Sequence, residues 1–213
     1  MRLGVYVGSF NPVHKGHIKV ANYLVDNNVV DKVLILATPN YWHKQNLIDT
    51  KDRVNMLKFF ETDKIIVDDV HNKYEYTYQI LENLQKDYPN DELYLVVGSD
   101  NVENMPMWKN FNEIIKHNII VLKRGDIDVK DNLDKFNKNK VILINDFDSF
   151  DVSSTEIRND LDNEYLDDRV RSYIINNRLF ELWSWVYERT SWIIKREKHN
   201  NINNGILHWW RHS

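Results

Sequence analysis

Short apolar runs alternate with longer amphipathic stretches along most of this chain. The apolar runs are rich in Leu, Ile and Val, which predicts buried strands at Leu3–Val7, Lys32–Ala37, Lys64–Val67, Leu93–Val97, Asn118–Leu122 and Val141–Leu143. The amphipathic stretches predict helices near residues 16–28, 50–61, 76–87, 109–116, 154–161 and 166–176. Strands that alternate with helices form parallel sheets covered on both faces. The pattern therefore predicts an α/β fold with a doubly wound parallel sheet and helices on both faces.

Glycine-containing polar segments directly follow two of the predicted strands. Gly8–His17 follows the first strand, and Gly98–Asp100 follows the fourth. In a Rossmann-like sheet of this kind, ligands bind beyond the carboxyl ends of the strands, where the strand order reverses. We therefore expect these two segments, which are far apart in sequence, to face one crevice.

Composition excludes several classes of protein. The chain has 213 residues, of which 42% are hydrophobic, enough for one domain with an appendage. It contains no cysteine, which excludes disulfides and thiolate metal sites. No apolar run approaches the length of a membrane span, and the N-terminus lacks the pattern of a secretory signal. We therefore expect a cytoplasmic protein without a membrane partner.

The charge is unevenly distributed along the chain. The net charge of −4 argues against nucleic acid as a partner. Residues 182–213 carry five Lys or Arg and two acidic residues, so that stretch has a net charge of +3 and the remainder −7. A polyanionic substrate must then be held by local cations. We expect one domain over residues 1–180, with the polar stretch Gly125–Lys140 as a surface insertion, and an extension over 181–213.

The extension is basic and holds five of the seven Trp residues. At helical spacing, one face would carry Leu182, Trp185, Val186, Trp192 and Ile193. Such a face favours a helix packed on the body of the protein or on another subunit. In the second case the protein would be a homo-oligomer. A helix lying on an anionic membrane surface is the weaker alternative.

The segment GSFNPVHKGH, from Gly8 to His17, carries the most specific chemical pattern. It lies where a predicted strand turns into a predicted helix, and a helix start presents backbone N–H groups and the positive end of the dipole. Gly8 and Gly16 allow the backbone to approach a ligand closely. His14 and His17 are three residues apart, so both can point to one side of the first helical turn. The pattern indicates a phosphate-binding site with two imidazole donors.

This segment resembles the G-x-F-x-P-x-H-x-G-H form of the H-x-G-H signature of nucleotidyltransferases. That form is typical of nicotinate/nicotinamide mononucleotide adenylyltransferases, and the bacterial nicotinate type is the most similar. The pattern differs from both the G-x-G-x-x-G and the P-loop fingerprints. The resemblance covers roughly residues 1–180. It implies a nucleotidyltransferase of NAD biosynthesis that transfers the adenylyl group of ATP to nicotinate mononucleotide, giving deamido-NAD and pyrophosphate.

A second motif, VSSTEIR at Val152–Arg158, has two interpretations. On its residues alone it is a well-capped helix start, because serine caps helices and acids follow in the first turn. It also resembles the family's I-S-S-T-x-I-R motif. The resemblance implies that this helix start and its arginine hold the outer phosphates of ATP, which assigns ATP contacts to Ser153, Ser154, Thr155 and Arg158.

A third group of residues lies after the predicted strand Leu93–Val97. The resemblance assigns ATP contacts to Gly98 and Asp100 and places Trp108 on the pyridine ring of the mononucleotide. An isolated Trp is otherwise a half-buried core residue, but a flat ring does need an aromatic face. The resemblance also assigns Asn11, Thr77 and Tyr78 to the mononucleotide. A helix start at Thr77 would receive the nicotinate carboxylate.

Further cations have less certain roles on the sequence alone. His43 and Lys44 match the end of a family P-P-H-K segment, whereas Tyr41 and Trp42 depart from its proline pair. The resemblance puts Lys44 near the attacking phosphate. Arg53 matches a family R-x-x-M pattern and is equally well explained as a packing residue. Arg124 is either an ATP contact or a surface charge.

The implied mechanism is in-line attack of the mononucleotide's phosphate on the α-phosphate of ATP. A phosphate monoester is already a nucleophile, so no covalent intermediate is expected, and catalysis is positioning plus charge stabilisation. His14 and His17 would donate to the phosphates, together with the backbone N–H groups of Ser9 and Phe10. Mg²⁺ is expected to be bound mainly through ATP phosphates, with no metal-ligating residue in the protein.

Three alternatives remain open at this point. The preferred substrate could be nicotinamide mononucleotide. The chain could also be another H-x-G-H enzyme that acts on phosphopantetheine or a polyol phosphate, although His14 stands where the pantetheine type usually has Thr. Finally, it could be a nucleotide-binding regulator without turnover, which the intact His14, His17 and Arg158 argue against.

Overall fold

The structure is a computed structural model that describes residues 1–39, 47–123 and 135–180. Its strands are β1 (Arg2–Gly8), β2 (Lys32–Ala37), β3 (Ile65–Val67), β4 (Glu92–Gly98), β5 (Asn118–Leu122) and β6 (Val141–Ile144). Its α-helices are α1 (Lys15–Asp26), α2 (Thr50–Leu57), α3 (Thr77–Asp87), α4 (Ser99–Val102), α5 (Phe111–Ile114), α6 (Ser154–Asn159) and α7 (Asp168–Asn176).

The strands form one parallel sheet in the order β3-β2-β1-β4-β5-β6. The chain moves outward from β1 to β3 and then returns to place β4 on the other side of β1. The order therefore reverses between β1 and β4, which is the crevice position of a doubly wound sheet. This arrangement confirms the predicted α/β, Rossmann-like fold.

Both faces of the sheet are buried. Leu34, Ile35 and Leu36 are consecutive in β2, and each exposes 1% of its surface or less. Since neighbouring side chains in a strand point to opposite faces, helices must cover both sides. One side is packed by buried leucine, isoleucine, valine and methionine side chains of α3, α4 and α5 and of the turn after α4: Ile80, Leu81, Leu84, Val102, Met105 and Ile114.

The opposite face of the sheet meets the loop after α1 at close range. A Cβ atom at Gly4 in β1 would lie 3.3 Å from Val30 Cγ2 and 3.5 Å from Val96 Cγ2. Contacts this short leave little room for a side chain in the middle of the central strand. Gly4 therefore lets the loop after α1 pack directly on the sheet, and this packing fixes the start of β2.

The predicted strands agree with the observed ones to within one residue at each end. The helices agree less well. The one predicted near 50–61 ends at Leu57 and continues as a 3₁₀ turn over Lys58–Phe60. The one predicted near 109–116 is the single turn of α5. The similarly short α4 was not predicted, because four residues are too few to display a helical period.

The predicted surface insertion Gly125–Lys140 agrees with the exposure of Lys135 and of residues 137–139. Its residues 125–134 lie outside the described part of the chain. Phe136, however, exposes only 5% of its surface and packs edge-to-face on Phe111, with ring centroids 5.3 Å apart. A lone aromatic in a polar stretch carries no periodicity, which is why the pattern of the sequence did not reveal this core contact.

Contacts divide the chain into two compact units, Met1–Tyr173 and Ile174–Ser213. The predicted extension over residues 181–213 lies outside the described residues. Within the described part, none of the helices has the length and apolar character needed to cross a bilayer.

The buried ring of Phe136 gives a stability prediction. We expect Phe136→Ala to lower the free energy of unfolding by about 3 kcal/mol, because truncating a buried aromatic leaves a cavity. Lys135→Ala, at the exposed neighbouring position, is the control and should change stability by less than about 0.5 kcal/mol. Urea unfolding followed by circular dichroism measures both. Equal midpoints for the two variants would contradict the role of Phe136 in the core.

Candidate active site

A cleft of about 860 Å³ opens at the carboxyl ends of β1 and β4. It brings together residues from widely separated parts of the sequence. Its lining includes most of the side chains singled out from the sequence: Gly8, Ser9, Phe10, Asn11, His14, Gly16, His17, Thr77, Gly98, Asp100, Trp108, Ser153, Ser154, Thr155 and Arg158. The expectation that two distant glycine-containing segments face one crevice therefore agrees with the geometry.

The turn after β1 is shaped by Phe10, whose backbone has a φ of 45°. A left-handed conformation is uncommon for a residue with a side chain, so packing must compensate for it. The ring lies 5.3 Å from Tyr6 and 4.9 Å from His17, centroid to centroid, and only 2% of the residue is exposed. A Cβ atom at Gly8 would lie 2.9 Å from Phe10 Cζ. Gly8 is thus required to let this ring close under the turn.

His14 and His17 stack face to face, with ring centroids 3.7 Å apart and an interplanar angle of 29°. The backbone N–H of His14 donates to Nδ1 of His17 at 3.2 Å. A neutral His17 must therefore carry its proton on Nε2, the nitrogen that can donate to a ligand. A Cβ atom at Gly16 would lie 3.0 Å from His14 Nδ1, so glycine at this position gives the His14 ring its space.

Helix α6 begins with a complete capping box. The backbone N–H of Ser153 donates to Glu156 Oε2 at 2.6 Å, and the N–H of Glu156 donates to Ser153 Oγ at 3.2 Å. The Ser153 hydroxyl also donates to Glu156 Oε2 at 2.9 Å, and this bond, followed by the one from the Ser153 N–H, lowers the pKa of Glu156. The capped-helix interpretation of VSSTEIR is therefore correct at the level of local structure.

The same helix also docks on the turn after β1. Ser154 Oγ donates to the Pro12 carbonyl at 2.9 Å. Arg158 Nη1 donates to the Asn11 carbonyl at 2.7 Å, while Nη2 donates to Thr155 Oγ1 at 2.9 Å. Burial lowers the pKa of the Arg158 guanidinium, yet an arginine remains charged at neutral pH. A permanent cation therefore lies beside the two imidazoles.

Arg53 on α2 approaches the turn from the other side. Its exposed fraction is 0%, so the packing interpretation is the better description of its location, and it is not among the residues that line the cleft. Its Nη1 nevertheless donates to the Ser9 carbonyl at 2.7 Å. No sequence pattern indicates this bond, because Ser9 and Arg53 are 44 residues apart and no local periodicity relates them.

The opposite wall of the cleft comes from α3, α4 and the segment after α4. Thr77 is the first residue of α3, whose start is stabilised by a bond from the Tyr76 N–H to Gln79 Oε1 at 3.0 Å. Gly98 and Asp100 lie at the junction of β4 and α4. Trp108 is half-buried against the core and also lines the cleft, so both sequence interpretations describe it.

Tyr78 occupies a different place from the one expected. It is not among the lining residues, and it packs against the core and stacks on Tyr76 with ring centroids 6.1 Å apart. Lys44 and Arg124 lie outside the described residues.

The loop between β6 and α6 adds lining residues that the sequence did not reveal: Phe147, Ser149 and Phe150. Lys19 on α1 holds this loop from behind. Its Nζ lies 2.9 Å from Asp148 Oδ2 and 4.1 Å from the centre of the Phe150 ring. The available signal was two aromatics in an acidic loop directly before a helix cap, a pattern that is also common on ordinary surfaces.

The described part of the cleft is poor in metal ligands. In the ranges 1–39, 47–123 and 135–180, no group of three or more His, Cys, Asp or Glu side chains could hold a metal ion. Asp100 is the only carboxylate that lines the described part of the cleft. The donor set there suits phosphate oxygens, because imidazoles, a guanidinium and hydroxyls converge on it.

Comparison with known proteins agrees with this chemistry. Residues 5–160 match the family model described as "Cytidylyltransferase-like". A "Probable nicotinate-nucleotide adenylyltransferase" of Fusobacterium nucleatum is 35% identical over 175 residues, which cover 77% of this chain and 89% of that protein. The "Nicotinate-nucleotide adenylyltransferase" of Bacillus subtilis is 29% identical over 195 residues, which cover 84% and 98%.

A similar fold occurs among solved structures. The Plasmodium falciparum nicotinic acid mononucleotide adenylyltransferase complexed with NaAD matches with a TM-score of 0.73 at 24% identity, over 84% of this chain and 97% of that one. The same protein complexed with APC matches with a TM-score of 0.70. At this identity the likeness supports the fold. Together with the family model and the curated relatives, it places the chain in the cytidylyltransferase-like family, among the nicotinate-nucleotide adenylyltransferases.

Proposed function

We propose that this enzyme transfers the adenylyl group of ATP to nicotinate mononucleotide, forming deamido-NAD and pyrophosphate. The observation that carries the proposal is the convergence of His14, His17 and Arg158 on one cleft that also contains Thr77 and Trp108. One side of the cleft offers donors for phosphates, and the other offers a helix start and an aromatic face. A cleft with these two ends suits the joining of two nucleotides.

At the phosphate end, the reaction needs charge stabilisation more than covalent chemistry. The 5′-phosphate of the mononucleotide attacks the α-phosphate of ATP in line, the new P–O bond forms, and pyrophosphate leaves. The Nε2–H of His17 donates to an oxygen of the reacting phosphate, where negative charge accumulates. Arg158 and the helix start at Ser154 and Thr155 hold the phosphates that leave. No protein nucleophile takes part in these steps.

At the mononucleotide end, two features suit a pyridine carboxylate. Thr77 opens α3, whose N-terminal amides and positive dipole end favour an anion. Trp108 offers an aromatic surface to the ring. We propose that these two residues, with Asn11, bind nicotinate mononucleotide, and that Tyr78 contributes by packing behind them. The helix start favours the acid over the amide, because nicotinamide carries no negative charge at that position.

The proposal also covers two further cations, the metal ion, the cellular location and the extension. Lys44 is proposed to approach the attacking phosphate, and Arg124 to contact ATP. Mg²⁺ is proposed to enter with ATP, since the described cleft offers phosphate-binding donors and a single carboxylate. The proposed location is the cytoplasm, where ATP is available, and the extension is proposed to mediate self-association.

A direct assay tests the proposed function. The protein is incubated with ATP, MgCl₂ and either nicotinate or nicotinamide mononucleotide, and the dinucleotide and pyrophosphate are quantified together. We expect equimolar products, with kcat/KM at least about tenfold higher for the nicotinate compound, because a favourable charge contact of about 1.4 kcal/mol corresponds to that ratio. Phosphopantetheine in place of the mononucleotide is the control. Product from that compound alone would overturn the proposal.

The proposed role of the His17 imidazole as a donor predicts a loss of turnover. His17→Ala is expected to lower kcat about a hundredfold, because a preorganised donor to the developing charge is lost. Asn22→Ala, at an exposed position of the same helix, is the matched control and should retain wild-type turnover. Steady-state kinetics at saturating substrates measures both. Near-normal dinucleotide synthesis by the His17 variant would contradict the phosphate-donor role.

The second prediction separates the two ends of the cleft. Trp108→Ala is expected to raise the KM for nicotinate mononucleotide about tenfold and the KM for ATP less than about twofold, because stacking is lost at one end only. Met107→Ala changes a neighbouring side chain that is 77% exposed, and it should alter neither constant. If Trp108→Ala raised both KM values equally, Trp108 would be a scaffold residue and not a ring-binding one.

A further inference from the structure

A fully buried guanidinium lies behind the phosphate-binding turn. Arg53 donates from Nε to the Ile48 carbonyl at 3.1 Å, from Nη1 to the Ser9 carbonyl at 2.7 Å, and from Nη2 to Thr50 Oγ1 at 2.9 Å. The bonds to Ile48 and Thr50 are local to the start of α2 and fix the side chain. The third crosses to the turn after β1, so a rigidly held donor reaches one chosen peptide group.

That peptide group has two ends. The Ser9 carbonyl and the Phe10 N–H belong to the same planar unit, and in a trans peptide they point in opposite directions. Arg53 holds the carbonyl on the side away from the cleft, since Arg53 does not line the cleft whereas Ser9 and Phe10 do. Holding the carbonyl there turns the Phe10 N–H toward the cleft.

We infer that Arg53 is a positioning residue that aims the Phe10 amide hydrogen at the phosphates of ATP. The inference rests on the proposed function for the identity of the ligand. The left-handed backbone of Phe10, with a φ of 45°, makes this peptide orientation unfavourable without outside support. Arg53 supplies that support through a hydrogen bond that a rotated peptide would lose.

A second contact joins the same part of the chain to the turn. The Ile48 N–H, two residues before α2, donates to Asn11 Oδ1 at 3.2 Å. Arg53 on α2 thus holds a backbone carbonyl before Phe10, and Ile48 holds a side chain after it. The two contacts tie both flanks of Phe10 to the region around the start of α2.

The guanidinium also contributes a fixed charge. Burial lowers the pKa of Arg53 to about 10, with Asp49 acting in the opposite direction. The group therefore remains protonated at neutral pH. A buried cation behind the Ser9–Phe10 peptide is screened little by solvent and adds to the attraction that the peptide dipole exerts on phosphate.

Kinetics of two variants tests the inference. Arg53→Lys keeps the charge but lacks the three-way fork, and Thr50→Val removes the acceptor of Nη2 while leaving Arg53 in place. Both are expected to lower kcat, the first by about tenfold or more and the second by about threefold, with the KM for nicotinate mononucleotide changed less than about twofold. Arg169→Lys, which removes an arginine bond to the Phe59 carbonyl outside the cleft, should leave kcat unchanged.

An NMR measurement on the wild-type protein makes the test independent of variant folding. On addition of ATP with MgCl₂, the NMR resonance of the Phe10 amide proton should shift, because the amide then donates to a phosphate oxygen. Arg53→Lys should reduce that shift. A Phe10 amide that does not respond to ATP would overturn the inference, and so would a folded Arg53→Lys enzyme with wild-type kcat. A wild-type protein that binds ATP at Phe10 but makes no dinucleotide would instead overturn the proposed function alone.

Discussion

The site depends on one constraint: the backbone carbonyls of the turn after β1 are held by side chains of α2 and α6. Arg53 binds the Ser9 carbonyl, Arg158 binds the Asn11 carbonyl, and Ser154 binds the Pro12 carbonyl. In the trans Ser9–Phe10 peptide the carbonyl and the N–H point in opposite directions, so the proposed role of the Arg53 bond is to leave the Phe10 N–H facing the cleft. A short irregular turn thereby acquires the rigidity that a phosphate-binding site requires.

The strand order makes this arrangement possible. Reversal between β1 and β4 opens a gap above the centre of the sheet, and the segments that follow both strands enter it. Burial of both sheet faces holds the strands in register. The carboxyl ends of β1 and β4 therefore lie at the same edge of the sheet, next to the turn after β1 and the start of α4. Helices α2 and α6 then approach the turn from separate parts of the sequence and hold it.

Much of this could be predicted from the sequence, for identifiable reasons. Strand positions followed from apolar runs, and the sheet type followed from the alternation of runs with amphipathic stretches. The candidate site residues followed from the resemblance of two compact motifs, GSFNPVHKGH and VSSTEIR, which the cleft brings together. Local features within one motif, such as the capping box at Ser153, are readable because all partners lie within four residues.

Long-range bonds and isolated aromatics could not be predicted in this way. The bond from Arg53 to Ser9 joins residues 44 apart, and no periodicity relates them. Phe136 packs into the core from a polar stretch, and Phe147 and Phe150 enter the cleft from an acidic loop. Tyr78, which the resemblance assigned to the mononucleotide, packs against the core and is not among the residues that line the cleft.

The docking of α6 on the first turn has a consequence for biosynthesis of the protein. The turn is translated before α6, because Ser154 and Arg158 follow the residues they bind by 142 and 147 positions. A growing chain therefore carries both imidazoles without the guanidinium that accompanies them. Binding of nucleotide by an incomplete chain is thereby disfavoured. A truncated translation product that ends after β6 would lack the support that α6 gives to the turn.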